Sequence, residues 1–203
     1  MNPRKLLIFG SIGLLALGVG CQKNRVDPGA FKSAINNYYS ARPECVWTTP
    51  VKFPAQADTA KEDETKGFDA LVDAGFLART SAEKKKLLGS KQVNDYDLTD
   101  KGRSNWTADQ TQPGYGNFCF GHADVTNVDG YTPHDDNATQ YTVNYHYAVS
   151  HPAGWANSAE MQSAFPRIAS LTSGQRTGAA MLVKGDNGWN VTQASGASTG
   201  ETH

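Results

Sequence analysis

The sequence predicts an α+β chain in which an N-terminal helix and a further helical unit pack with a C-terminal antiparallel sheet of about four strands. Three observations lead there. Apolar residues recur at helical spacing over 28–42 and again over 62–75. In the second half the period falls to two: Tyr141, Val143, Tyr145, Tyr147 and Val149 face one way, Thr142, Asn144, His146 and Ala148 the other. Finally, Gly185-Asp186-Asn187-Gly188 sits between two apolar runs as a hairpin turn. At 38% hydrophobic and 10% aromatic residues, the chain can build a modest core. It is neither disordered nor membrane-spanning beyond its start.

That start has its own logic. Arg4 and Lys5 lead into an apolar run from Leu6 to Leu17, which closes on Gly18-Val19-Gly20-Cys21. This is the order of parts in a secretory signal, too short to span a bilayer. The small residues before Cys21 resemble the lipobox of bacterial lipoproteins, with Gly18 where Leu is usual. The resemblance implies a signal peptide over 1–20 and lipid, palmitate among its chains, on Cys21. A lipidated tether over 21–26 would then hold the protein to a membrane, facing the periplasm or the cell exterior. In a cell with an outer membrane, that is the membrane expected.

With Cys21 lipidated, Cys45 and Cys119 remain. An even pair in an exported chain predicts a disulfide, against the alternative of two separately buried thiols. No close Cys/His pair of the zinc kind accompanies them. Loss of Arg4 and Lys5 takes the net charge from −1 to about −3. Such a body has no general attraction for phosphate backbones or anionic lipid.

The elements follow in order. Asp27-Pro28 starts a helix as N-cap and first residue, with Phe31, Ala34, Ile35 and Tyr38 on one face as far as Arg42. Trp47–Pro54 carries two prolines and is at best an edge strand. Thr59 with Glu62 has the form of a capping box ahead of Phe68, Leu71 and Val72. Gly75 suits the left-handed position past that helix, folding Phe76 back on Leu71. Strands are expected over 76–80 and 93–98, flanking a charged excursion with Lys84, Lys85 and Lys86. Thr99 caps a short helix over 100–106.

The stretches "ALVDAGFL" and "YDLTDKGR" resemble the helix-plus-wing half of a winged-helix domain. The likeness implies a helix ending in Gly, a β-hairpin wing and a turn leading out of it. In regulators of that family the helix enters the DNA major groove. Here Glu62, Asp63, Glu64, Asp69 and Asp73 stand against Lys61 and Lys66 alone. A helix of net charge −3 opposes phosphates, so the unit is expected to serve packing or protein contact.

Residues 27–106 thus form a helical, winged-helix-like half and 107–116 a polar linker. An antiparallel sheet half follows over 117–192, with strands over 117–128, 141–149, 177–184 and 189–192. A short helix over 158–165 is stopped by Pro166, and 193–203 is a flexible tail.

Chemistry is thinly signalled. His122 and Asp124 share one face of a strand, and His146 lies on the polar face of another; paired strands would bring the three together as a ligand site. Pro133-His134-Asp135-Asp136 reads as a solvated turn. There is no nucleophile elbow, phosphate loop, HExxH or nucleotide fingerprint, and no carboxylate pair stands out for acid–base work. No cofactor, metal or catalytic residue is assigned. Trp47, Trp106, Trp155 and Trp189, with Tyr115 and Tyr131, serve either as core and lid residues or as an interface.

The reading favoured is therefore a lipid-anchored envelope protein, a non-enzymatic interaction or structural module with a protein partner in the envelope. The alternative is an envelope enzyme or small-ligand or metal binder using His122, Asp124 and His146. A DNA-binding regulator is disfavoured.

Overall fold

A computed structural model describes residues 26–85 and 89–196. The expected signal peptide, Cys21 and most of the expected tether lie outside these residues, as do Lys86 and positions 197–203. Helix α1 (Pro28–Ser40) opens with Asp27, whose Oδ1 accepts from the Gly29 amide at 2.8 Å. It stops two residues short of Arg42. Strands β1 (Glu44–Cys45), β2 (Val51–Lys52) and β3 (Ala55–Asp58) are short. Then come α2 (Glu62–Asp73), the hairpin β4 (Leu77–Lys85) and β5 (Ser90–Leu98), α3 (Asp100–Asn105) and β6 (Trp106–Ala108). The second half holds β7 (Tyr115–Thr132), β8 (Gln140–Ser150), α4 (Ala159–Ala164), α5 (Pro166–Thr172), β9 (Arg176–Gly185) and β10 (Gly188–Ser195).

The α+β class stands, but the main sheet has seven strands rather than about four. Its path is β1-β7-β8-β9-β10, with β2 and β6 also paired to β7, all antiparallel. The second half supplies four strands. The other three are two- and three-residue pieces of the first half, which pair with the first part of β7 on both of its edges, β2 and β6 meeting Gly116 from opposite sides. Trp106–Ala108 is one of them, so the expected linker begins inside the sheet. β10 likewise continues to Ser195, into the expected tail. Helix α5 was not foreseen: Pro166 ends one helix and, at the first position of the next, starts another.

A second sheet, β3-β5-β4, packs against α2. The end of α2 is built as its sequence requires. Gly75 takes φ +77°, its amide bonds Val72 O at 2.8 Å, and the Phe76 amide bonds Leu71 O at 2.8 Å. That pair of bonds is a Schellman motif. The start differs from expectation. Lys61 is the N-cap and Thr59 Oγ1 donates instead to Gln92 O, because β3 holds Thr59 beside β5. Glu64 reaches back to accept from the Asp58 amide at 3.3 Å. Thr99 caps α3, accepting from the Gly102 amide at 2.9 Å while donating to Gly75 O at 2.7 Å.

Two cores result. In the first, Phe76 stacks on Phe118 with ring centroids 5.0 Å apart, and Trp47, Trp106 and Trp155 close around them. In the second, α1 lies on the sheet. Phe31 touches Tyr141 and Trp189, each at 5.1 Å between centroids, and Tyr39, Tyr141, Tyr145 and Tyr147 are buried. Tyr145 Oη donates to Ser195 O at 3.1 Å, so the 2.6 Å bond between Tyr39 and Tyr145 has Tyr39 as donor. Burial pushes the Tyr145 phenol up to about 12 and raises that of Tyr39 as well.

Gly102 shows why the "DKGR" turn carries a glycine: a Cβ there would sit 2.0 Å from Phe76 O. Gly102→Ala is expected to lower stability by about 1–3 kcal/mol through overpacking. Gly130→Ala, with nothing within 4 Å of its added carbon, should leave the unfolding midpoint nearly unchanged in the same denaturation experiment.

Candidate functional site

Among the described residues two regions stand as candidate sites: a groove beside the Cys45–Cys119 disulfide and the polar face of the sheet. Cys45 and Cys119 stand opposite one another in the β1–β7 register and are joined by a disulfide. Both are half-buried. They form the floor of a groove of about 400 Å³ whose other lining includes Pro43, Trp47, Pro50 and Arg167. Trp47 is held from two sides. Its ring packs on Phe53, Phe68, Phe118 and Phe165. Its backbone is clamped by the Asn117 side chain, which donates to Trp47 O at 2.7 Å and accepts from Trp47 N at 3.2 Å. An amide so used is committed to the chain itself, so Asn117 positions the wall rather than offering a free polar group.

Arg167 and Asp109 are the charged residues of the groove lining. One of the terminal nitrogens of Arg167 donates to Glu44 Oε2 at 2.6 Å, and Glu44 is completely buried. Glu44 Oε1 and Arg167 Nε are buried without a hydrogen-bond partner among the described residues. Removing Arg167 would leave the fully buried Glu44 charge unpaired, a loss that commonly costs about 3–5 kcal/mol in an enclosed pair and less here, where the Arg167 side chain is 36% exposed. The pair therefore ties α5 to β1 directly beneath the groove. Sequence inspection missed it, since the two residues are 123 positions apart and neither belongs to a motif.

The polar face holds the three residues singled out above. His122 and Asp124 are exposed neighbours on one face of β7, opposite Ser150 and Ala148 of β8. A register shift between Val125 and Asn127 then places His146 opposite Asn127. Asp124 and His146 bond to other residues. Asp124 accepts from Ser150 Oγ. His146 Nδ1 lies 2.8 Å from Asp129 Oδ1, and Asn127 Nδ2 donates to the same oxygen at 2.8 Å. Among the described residues no group of three His, Cys, Asp or Glu is placed to hold a metal ion. Beside His146 lies an open basin lined also by Gln175, Arg176 and Thr177. Asp129 engages one nitrogen of the imidazole, Nδ1, and fixes the ring beside this basin. The cue to Asp129 was invisible beforehand, because the register shift decides which carboxylate His146 meets.

No protein-family model, curated protein or solved structure matches this chain. Any functional statement therefore rests on the chain's own residues.

The His146–Asp129 contact gives a pH test. The imidazole at hydrogen-bond distance, and then Asn127, hold the Asp129 carboxyl below the ordinary carboxylate range. A carboxylate whose folded pKa is depressed contributes stability above its unfolded value, about 3.9, and loses it as pH falls through the folded value. Asp129→Asn removes this contribution. Unfolding midpoints measured from pH 6 downward should fall less steeply in the variant than in the parent below about pH 4.

Proposed function

We propose that this chain is an exported, lipid-anchored envelope protein acting as a non-enzymatic interaction module, with the groove over Cys45–Cys119 as its contact surface. The observation that carries this reading is the construction of that groove: a wall fixed by Trp47, a disulfide floor, and one arginine held by a buried carboxylate. Rigid aromatic and arginine anchors beside apolar surface are the usual components of protein contact sites. The disulfide is weakly consistent with export. Anchoring is supported by the signal-like start and by the lipobox resemblance at Cys21. No described helix is long and apolar enough to cross a membrane.

The unit from α2 to α3 serves in this reading as a winged-helix-like packing element. Two features support that role. Its helix opens on Glu62, Asp63 and Glu64, and its apolar side, including Leu71 and Phe68, is spent on the first core. Nucleic acid is not a partner in this account.

A second reading, ligand binding or an enzymatic reaction on the polar face, is favoured by the oriented His146 and its neighbouring basin. The two readings separate in one experiment. A photo-crosslinking residue is placed in intact cells at Thr48, an exposed groove position, and at Thr80 on the hairpin as control. The proposal expects one envelope protein captured from Thr48 and not from Thr80. Alanine at His122, Asp124 and His146 should leave that capture unchanged. Identical adducts from both positions, or capture abolished by the three alanines, would overturn it.

A further inference from the structure

The edges of the two sheets are treated unequally. Strand β4, the nine-residue edge of the small sheet, carries Arg79, Glu83, Lys84 and Lys85. At the other edge of that sheet, β3 has four residues and ends in Asp58. In the main sheet, β1, β2 and β6 are two or three residues long. Short strands and charges are the two common protections against unwanted strand pairing. Strand β10 has neither. It is eight residues long, Gly188-Trp-Asn-Val-Thr-Gln-Ala-Ser195, with no charged residue and no proline, and it ends the strand order.

The register of β10 shows what it presents. The two-residue turn makes Gly185 and Gly188 a hydrogen-bonded pair, so pairing alternates from there as far as Val191, after which the register shifts before Gln193. Trp189 and Val191, opposite Lys184 and Leu182, therefore turn their N–H and C=O away from β9. The same two residues point their side chains at the second core and remain only half-buried there. An added strand would take up those backbone groups and cover Trp189 and Val191 at once. On α1, which lies over this part of the sheet, the exposed positions Ser33, Asn37 and Ser40 carry no charge.

We infer that β10 is a self-association edge, pairing antiparallel with β10 of a second copy to run two sheets into one. A two-fold pairing sets residue i of one strand against j of the other and j against i, so a charge at or beside the axis would meet its like, and β10 places none there. The absence of charge on β10 suits this occupant: β4 is charged, and the side of β7 away from β8, unpaired by a described strand beyond Gly121, is met by Asn36 and Lys32 of α1. This interface is separate from the groove and does not depend on it.

The test uses the full chain carrying Cys21→Ala. Sedimentation velocity over a concentration series should show a monomer–dimer equilibrium. Hydrogen exchange should find the Trp189 and Val191 amides protected under dimeric conditions and faster on dilution. The Asn190→Lys/Gln193→Lys variant, altered only at exposed positions, should weaken the dimer on the order of tenfold or more in Kd, about 1.4 kcal/mol. A monomer at all concentrations would overturn the inference. So would a dimer with unprotected Trp189 and Val191 amides, or β10 amides protected only when a different protein is added. The exchange measurement on the unaltered strand stands even where the lysine variant fails to fold.

Discussion

The structure depends on the pairing of β7, which changes its buried face part-way along. Phe118 and Phe120 point into the first core, and Ala123 and Val125 into the second. Side chains alternate along a strand, so these two pairs lie on opposite faces. The first part of β7 is covered by the α2–hairpin unit and the second by α1. Cys119 lies just before the change, where the disulfide fastens β1 to it. The closed loop has a sequence separation of 74. In the chain-entropy account such a crosslink restricts the unfolded ensemble by about 4–5 kcal/mol, a large share of a small domain's stability.

This change of face separates what the sequence disclosed from what it hid. β8 keeps one face buried from Tyr141 to Val149, and its period of two was plain. The end of α2 was equally legible, because Gly75 and the Leu71–Phe76 pair are local. In β7 the pattern shifts from even to odd positions, and the apolar count alone does not reveal a second cover. The three short strands beside it were hidden for a related reason. Two or three residues carry no periodicity, and only pairing with the two edges of β7 makes them strands. The Thr59 cap failed because β3, itself four residues long, claims that threonine for β5.

The candidate sites follow the same division. Cys45 and Cys119 were found by counting, and His122 and Asp124 by their shared strand face. The partner of His146 depended on a register shift, and Glu44–Arg167 on packing between distant elements. What had looked like a single polar cluster on the sheet divides into separate pairs, with Asp124 given to Ser150 and Asp129 to His146. The tryptophans also sort themselves. Trp106 and Trp155 are packed into the first core and Trp189 against the second, while Trp47 alone both packs and walls the groove.

In the proposed account the molecule hangs from its N-terminus, with the groove and the β10 edge as separate contact surfaces. The account joins two covalent expectations, lipid on Cys21 and a bridge between Cys45 and Cys119, and one measurement addresses both. Intact mass of the native protein, taken from the producing cells under non-reducing conditions, should correspond to a chain beginning at Cys21. That chain should carry the added mass of acyl groups and lack two hydrogens at Cys45 and Cys119. A chain retaining Met1–Gly20, with all three cysteines open to alkylation, would contradict the account.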